Sequence, residues 1–191
     1  MKPLSGFITG SVGLAVPGPV LTYTDGSVRG TGRRAWSTGW GFVATDGRYG
    51  CGSYPQRGTQ AGTDRAVVAE LRAIWNAIGG SDEPATIVTD SHYAVRVMGR
   101  WTSGSKSMPA GYRGSGIGTP TLERLRRHVR HNRDRITVWH VRGHNGDPLN
   151  EAADALAGLG SRWGPDGLSR AEVASRAVGI VEAFMRDAGA R

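Results

Sequence analysis

Four carboxylates occupy positions where solubility does not require them. Asp25 follows the run Val20-Leu21-Thr22-Tyr23-Thr24, and Asp90 follows Ala85-Thr86-Ile87-Val88-Thr89, so each closes a segment that reads as a strand. Glu70 lies inside "RAVVAELRAIWNAI", residues 65–78. At about 100° per residue it falls about 60° from Val67 and about 40° from Ile74, beside the face that must pack inward. Asp154 lies next to the stripe formed by Leu149, Ala153 and Leu156. Singly, each has an ordinary explanation: Asp25 and Asp90 as turn formers, Glu70 paired with an arginine, Asp154 solvated. Together they have a chemical one. In open α/β sheets, ligands bind beyond the carboxyl ends of strands, and carboxylates converging there repel one another unless a cation joins them. All-oxygen donors suit Mg²⁺ or Mn²⁺ rather than zinc. Two such ions about 4 Å apart can activate a water on one side of a phosphate and stabilise the leaving oxygen on the other, which is nuclease or phosphoryl-transfer chemistry.

A fifth residue belongs with them. In "TVWHVRGHNGDPLNEAADALAG", residues 137–158, an apolar strand runs into Gly143-His144-Asn145-Gly146 and then into the helix that carries Asp154. Glycine on both sides gives the backbone freedom to move the imidazole relative to Asp154. An imidazole near its neutral pKa is suited to moving protons.

The elements that must position these groups follow from patterning. Strands are predicted at 20–25, 38–45, 48–54, 85–90 and 135–141, with Asp46-Gly47 turning the second into the third. Helices are predicted at 65–78, stopped by Gly79-Gly80, and at 91–101. A third spans 120–133, with Thr119 as cap and Pro120 in its first turn. A fourth opens at Asp147-Pro148 and ends near Gly158-Leu159-Gly160. The Gly/Ser-rich segment 102–118 reads as a mobile surface loop. Residues 1–18 read as a loose leader, 19–160 as one α/β domain, and 161–191 as a linker plus an amphipathic helix over 169–186. That last helix has a Ser169/Glu172 capping box and an apolar stripe of Ala174, Ala177, Val178, Val181, Phe184 and Met185, placed to pack on the domain or to meet a protein partner.

Composition limits the setting. The chain has 191 residues and a net charge of +8, carried almost wholly by arginine, since Lys2 and Lys106 are the only lysines. Arginine's planar fork fits phosphate, so the excess points to a polyanionic partner. Cys51 is the single cysteine, which excludes an internal disulfide framework and a cysteine-built zinc site and fits a reducing, cytoplasmic setting. No apolar run is long enough to span a membrane, so no membrane partner is expected.

The motifs "YTDGS", "AELRAI", "TDSHYA" and "HVRGHNGDPLNEAADALA" stand in this order over residues 20–160, and their combination resembles type 1 ribonuclease H. The resemblance implies a five-stranded mixed sheet of order 3-2-1-4-5 with helices on both faces. It implies an enzyme that hydrolyses the RNA strand of RNA–DNA hybrids with two Mg²⁺ ions, Mn²⁺ being a substitute, and leaves 5′-phosphate and 3′-hydroxyl ends; a monomer is expected, though the sequence does not fix the number of protomers. Asp25, Glu70, Asp90 and Asp154 match the metal-binding carboxylates, and His144 matches the mobile histidine that assists proton transfer or product release. Gly26, Ser27, Ser91 and Asn150 fall where that family meets its substrate, and Thr63 is the candidate for a phosphate contact. The chain also departs from the family. "VRGTGRRAWSTG" replaces the usual turn after the first strand, and "GTDRAVVAEL" replaces an Asn-Arg run before the helical glutamate. The basic handle of some members is missing, leaving helix 120–133 with Arg33 and Arg34 to supply the electrostatics. Two other readings therefore stay open: a two-metal nuclease with relaxed choice, extending to double-stranded RNA, and a hybrid-binding module without activity.

Overall fold

The computed structural model describes residues 6–30, 37–54, 65–112 and 120–190. Within them the chain forms β1 (Phe7–Ser11), β2 (Leu21–Arg29), β3 (Ser37–Ala44), β4 (Arg48–Tyr54), α1 (Arg65–Ile78), β5 (Ala85–Thr89), α2 (His92–Thr102), α3 (Thr121–His131), β6 (Ile136–His140), α4 (Pro148–Arg162) and α5 (Arg170–Gly189). The strands make one sheet of order β1-β4-β3-β2-β5-β6. The β1, β4, β3 and β2 strands pair antiparallel, while β2, β5 and β6 pair parallel. With β1 set aside, this is the expected five-strand order.

The β1 strand corrects the expectation of a loose leader over 1–18. Phe7–Ser11 pairs along β4, and Ile8 enters the core at 6% exposure. Amides of Val12 and Val16 then bond the carbonyls of Gly47 and Thr45, tying the following residues down as well. A strand with one buried residue in five carries no alternation for the eye to find.

Helices cover both faces. On one side α1, α2 and α3 bury Leu71, Ile74, Met98, Trp101, Leu122 and Leu125 against Ile87. On the other, α4 and α5 bury Leu156, Leu159, Val173 and Val181 with Val43 and Tyr49. Glycine allows α4 to lie close on the sheet: a β-carbon on Gly41 would stand 2.5 Å from Ala153 O and Ala157 N. The helix runs on to Arg162, past the expected stop at Gly158–Gly160, because the backbone of Gly160 packs directly on that of Gly52. Packing there outweighs the roughly 1 kcal/mol that each helical glycine costs.

Helix α5 carries the predicted capping box and buries Val173, Ala177, Val181 and Met185, so its apolar stripe is used within the chain. The 102–118 segment is less free than expected over its described part. Trp101 Nε1 donates to Ser107 O at 2.7 Å, and Leu122 N donates to the Tyr112 hydroxyl at 3.3 Å. Helix α3 begins at Thr121 with Pro120 in the cap position; Thr119, Arg33, Arg34 and Thr63 lie outside the described residues. Among the described residues no helix is long and apolar enough to cross a membrane.

Candidate active site

The site exists because β2 outruns its parallel neighbour. Pairing of β2 with β5 stops at Tyr23↔Val88, whereas its pairing with β3 continues to Arg29↔Ser37. Asp25 is therefore not at a strand end, as the sequence suggested, but inside β2, just past the point where the β5 side falls open. Asp90 follows β5 directly, at the same level of the sheet. Glu70 comes from α1, whose backbone lies against β2 at Gly26, where a β-carbon would run into Glu70 N and Ala69 C. The Gly26 amide in turn donates toward both the Asp25 and Glu70 carboxylates.

Carboxylate oxygens of Asp25, Glu70 and Asp90 all lie within 4.8 Å of one another. Burial and then the neighbouring Asp154 and Asp90 push the Asp25 carboxyl up to about 7. Burial and then Asp25 and Asp90 drive the Glu70 carboxyl well above its ordinary range. Glu70 is only 9% exposed, its Oε2 has no hydrogen-bond partner, and no ion pair reaches it among the described residues. The nearby Arg72 is buried and lies 4.4 Å over the Tyr54 ring instead. Oxygen donors, mutual repulsion and an orphaned buried oxygen together fit a hard divalent cation.

Asp154 stands apart from that cluster. It is exposed on α4, at the rim, close enough to act on Asp25 as its strongest charged neighbour. His144 also sits at the rim: its backbone is left-handed at φ 53°, its side chain is 81% exposed, and Nδ1 lies 3.9 Å from Glu151 Oε1. Its charge also acts on Asp25. Gly143 backs directly onto Asp90, so that a β-carbon there would stand 2.5 Å from Oδ2.

The expected substrate-contact residues are distributed differently. Ser91 caps α2, accepting from Ala94 N at 3.2 Å, and Ser27 reaches Ser161 Oγ at 3.4 Å, linking β2 to α4. Asn150 is 3% exposed, with Oδ1 unpaired, so it lies behind the surface that a substrate would touch. Gly26 serves the packing of α1. Two residues that the sequence did not mark stand next to the backbone of Asp90: His92 and His140 stack at 3.6 Å, and His140 Nε2 lies 3.1 Å from the Asp90 carbonyl oxygen. The signal was the parallel alignment of the two strand ends, Thr89↔His140, which places "TDSH" beside "WHV".

The RNase H family profile matches residues 17–162, a span that includes all four carboxylates and His144. The chain belongs to the RNase H family. Proteins named Ribonuclease H from Anaeromyxobacter dehalogenans and from an Acidovorax strain are 34% and 33% identical to it over 146 and 147 residues. These alignments take in 71% and 74% of this chain and 76% and 93% of the relatives. A Ribonuclease H from Polaromonas naphthalenivorans is 30% identical over 77% of this chain and 89% of its own length. As an RNase H family member the chain is a nuclease, a hydrolase with an acidic cluster of the metal-dependent kind. The β1 strand and α5 flank the segment that the family shares.

Proposed function

We propose that this RNase H family enzyme hydrolyses the RNA strand of RNA–DNA hybrids, leaving 5′-phosphate and 3′-hydroxyl ends. The observation that carries the reading is the convergence of Asp25, Glu70 and Asp90 within 4.8 Å, with Asp154 at the rim. These four residues would hold the divalent cations, two Mg²⁺ on the family pattern. Bound there, Mg²⁺ or Mn²⁺ supplies Lewis acidity toward the phosphodiester and a more acidic water.

The chain's own residues do the rest. The Gly26 amide orients the Asp25 and Glu70 carboxylates, and Gly143 fixes how far Asp90 can rotate. His144, exposed on its left-handed loop residue, is free to approach the leaving oxygen and hand it a proton. The net charge of +8 favours association of the chain with a polyanionic substrate. The apolar stripe of α5 packs within the chain, which supports action as a monomer.

Parallel assays on a hybrid, an RNA duplex, single-stranded RNA and a DNA duplex test the reading. Cleavage of RNA only in the hybrid is expected. Comparable cleavage of the RNA duplex would mean a relaxed nuclease, and tight hybrid binding without cleavage would mean a binding module.

A further inference from the structure

Asp90 stands where the sheet releases the chain. Thr89, opposite His140, is the last residue of β5 to pair with β6, and the Val141 amide closes that ladder on Thr89 O at 3.0 Å. Helix α2 begins at His92. Between the two lies Asp90-Ser91, a junction that neither ladder nor helix fully holds, and polar backbone groups in such a place need other partners to keep one conformation. The Ser91 N–H donates to Thr89 Oγ1 at 3.2 Å, and the Ser91 hydroxyl accepts from Ala94 N, also at 3.2 Å. That leaves the Asp90 carbonyl.

Its partner is an imidazole from the neighbouring strand. His140 Nε2 lies 3.1 Å from Asp90 O. A carbonyl oxygen only accepts, so Nε2 carries a proton and donates. His92 lies against the same ring, with centroids 3.6 Å apart and 14° between the planes, which restricts rotation of His140. The peptide after Asp90 is thus held at both of its polar groups, Ser91 N–H and Asp90 O, while the strand holds the peptide before it. With both flanking peptides fixed, the Cα–Cβ bond of Asp90 has one direction. That direction matters because carboxylate oxygens of Asp25, Glu70 and Asp90 lie within 4.8 Å of one another, and like charges so close push one another apart.

We propose that His140 is a positioning residue for the acidic cluster: by holding the Asp90 carbonyl it keeps the Asp90 carboxylate turned toward Asp25 and Glu70. The proposal rests on the metal-site reading given above. His140 and His92 are both exposed, so their contact sets the affinity of the cluster for a divalent cation and not the stability of the fold. Hydrogen-bond partners of metal ligands are commonly worth about 10- to 100-fold in metal affinity or activity, whereas substitutions at exposed sites change stability little.

The test is Mn²⁺ binding to the full chain without nucleic acid, measured by isothermal titration calorimetry, with thermal melts in EDTA beside it. His140→Phe keeps a ring for His92 to stack on and removes the donor, His140→Ala removes both, and His140→Gln places an amide N–H near the position of Nε2. The Phe and Ala variants should bind Mn²⁺ about tenfold more weakly than wild type, and Gln should recover to within about threefold. Tm in EDTA should stay within about 2 °C of wild type in all three. In cleavage of the hybrid by the Phe variant, the Mn²⁺ concentration for half-maximal rate should rise in parallel, while KM for the hybrid at saturating Mn²⁺ stays within about twofold. Wild-type Mn²⁺ affinity in the Phe and Ala variants, or a Gln variant as weak as Phe, would overturn the proposal alone. So would a loss of affinity matched by a large fall of Tm in EDTA, which would make His140 a structural residue. No Mn²⁺ binding by the wild type would overturn the metal-site reading, and the proposal with it.

Discussion

Gly143 and Asp90 are in direct contact across the end of the sheet: the position of a β-carbon on Gly143 falls 2.5 Å from Asp90 Oδ2. The loop that carries His144 is therefore also packed against a carboxylate of the acidic cluster. Gly143→Ala should push Asp90 out of the cluster and lower kcat at least tenfold, with a loss of stability of about 1 kcal/mol, the size usual for a single substitution. Steady-state kinetics with a thermal melt checks this. An active variant would mean that Asp90 can rotate without cost.

The raised carboxyl of Asp25 gives a pH signature. Its pKa in the fold is about 7 against an ordinary 3.8, because of burial and then Asp154 and Asp90. Below about pH 4 both folded and unfolded chains are protonated at this group, and it contributes nothing. Between about pH 4 and 7 the unfolded chain ionises first, so the metal-free protein loses stability as pH rises, and above about 7 the loss is complete. A divalent cation removes that loss by replacing the proton. The Tm gain from added Mg²⁺ or Mn²⁺ over EDTA should then be larger at pH 8 than at pH 5, and equal gains at the two values would contradict the assignment.

His144 and the carboxylates should separate in their effects. His144→Ala is expected to lower kcat about 10- to 100-fold, within the range of general acid–base contributions. Its metal-induced Tm gain should stay intact, since the side chain is 81% exposed and outside the cluster. Loss of the Tm gain in that variant would make His144 a ligand rather than a proton carrier.

Helix α5 should behave as part of the folded unit. Val181 is fully buried against α4 and the sheet, and Val181→Ala should cost about 1 to 3 kcal/mol in urea unfolding. Ser169→Ala, which removes the cap hydroxyl that accepts from Glu172 N, should cost about 1 kcal/mol. An unchanged midpoint for both would mean that the helix is detached in solution.

Much of this arrangement was legible in the chain because local signals agreed with the fold. Asp46-Gly47 turned β3 into β4, Asp147-Pro148 opened α4, and Ser169 with Glu172 opened α5. Asp25 and Asp90 were visible because each follows an apolar run at the end where α/β sheets bind ligands, and Glu70 because an inward carboxylate is costly without a partner. What could not be read depended on contacts between distant segments. The β1 strand has one buried side chain and is defined by β4. Asp25-Gly26-Ser27 looks like a turn, yet β3 keeps it extended to Arg29. Asp154 sits beside the apolar stripe of its helix, but a wheel does not give depth, and only the close seat of α4 on Gly41 sets it at the rim. The His92–His140 stack needed the β5–β6 register.

The proposed function makes the carboxylate cluster a metal-dependent site that acts on RNA in a hybrid. The most direct measurement follows an end-labelled RNA strand paired with DNA, using wild type and Asp25→Asn, each with Mg²⁺ and with EDTA, and analyses the ends of the products. Fragments with 5′-phosphate and 3′-hydroxyl ends should form with wild type and Mg²⁺ only, with a loss of about a thousandfold or more in Asp25→Asn. Cleavage in EDTA, or by Asp25→Asn at a rate near wild type, would contradict it.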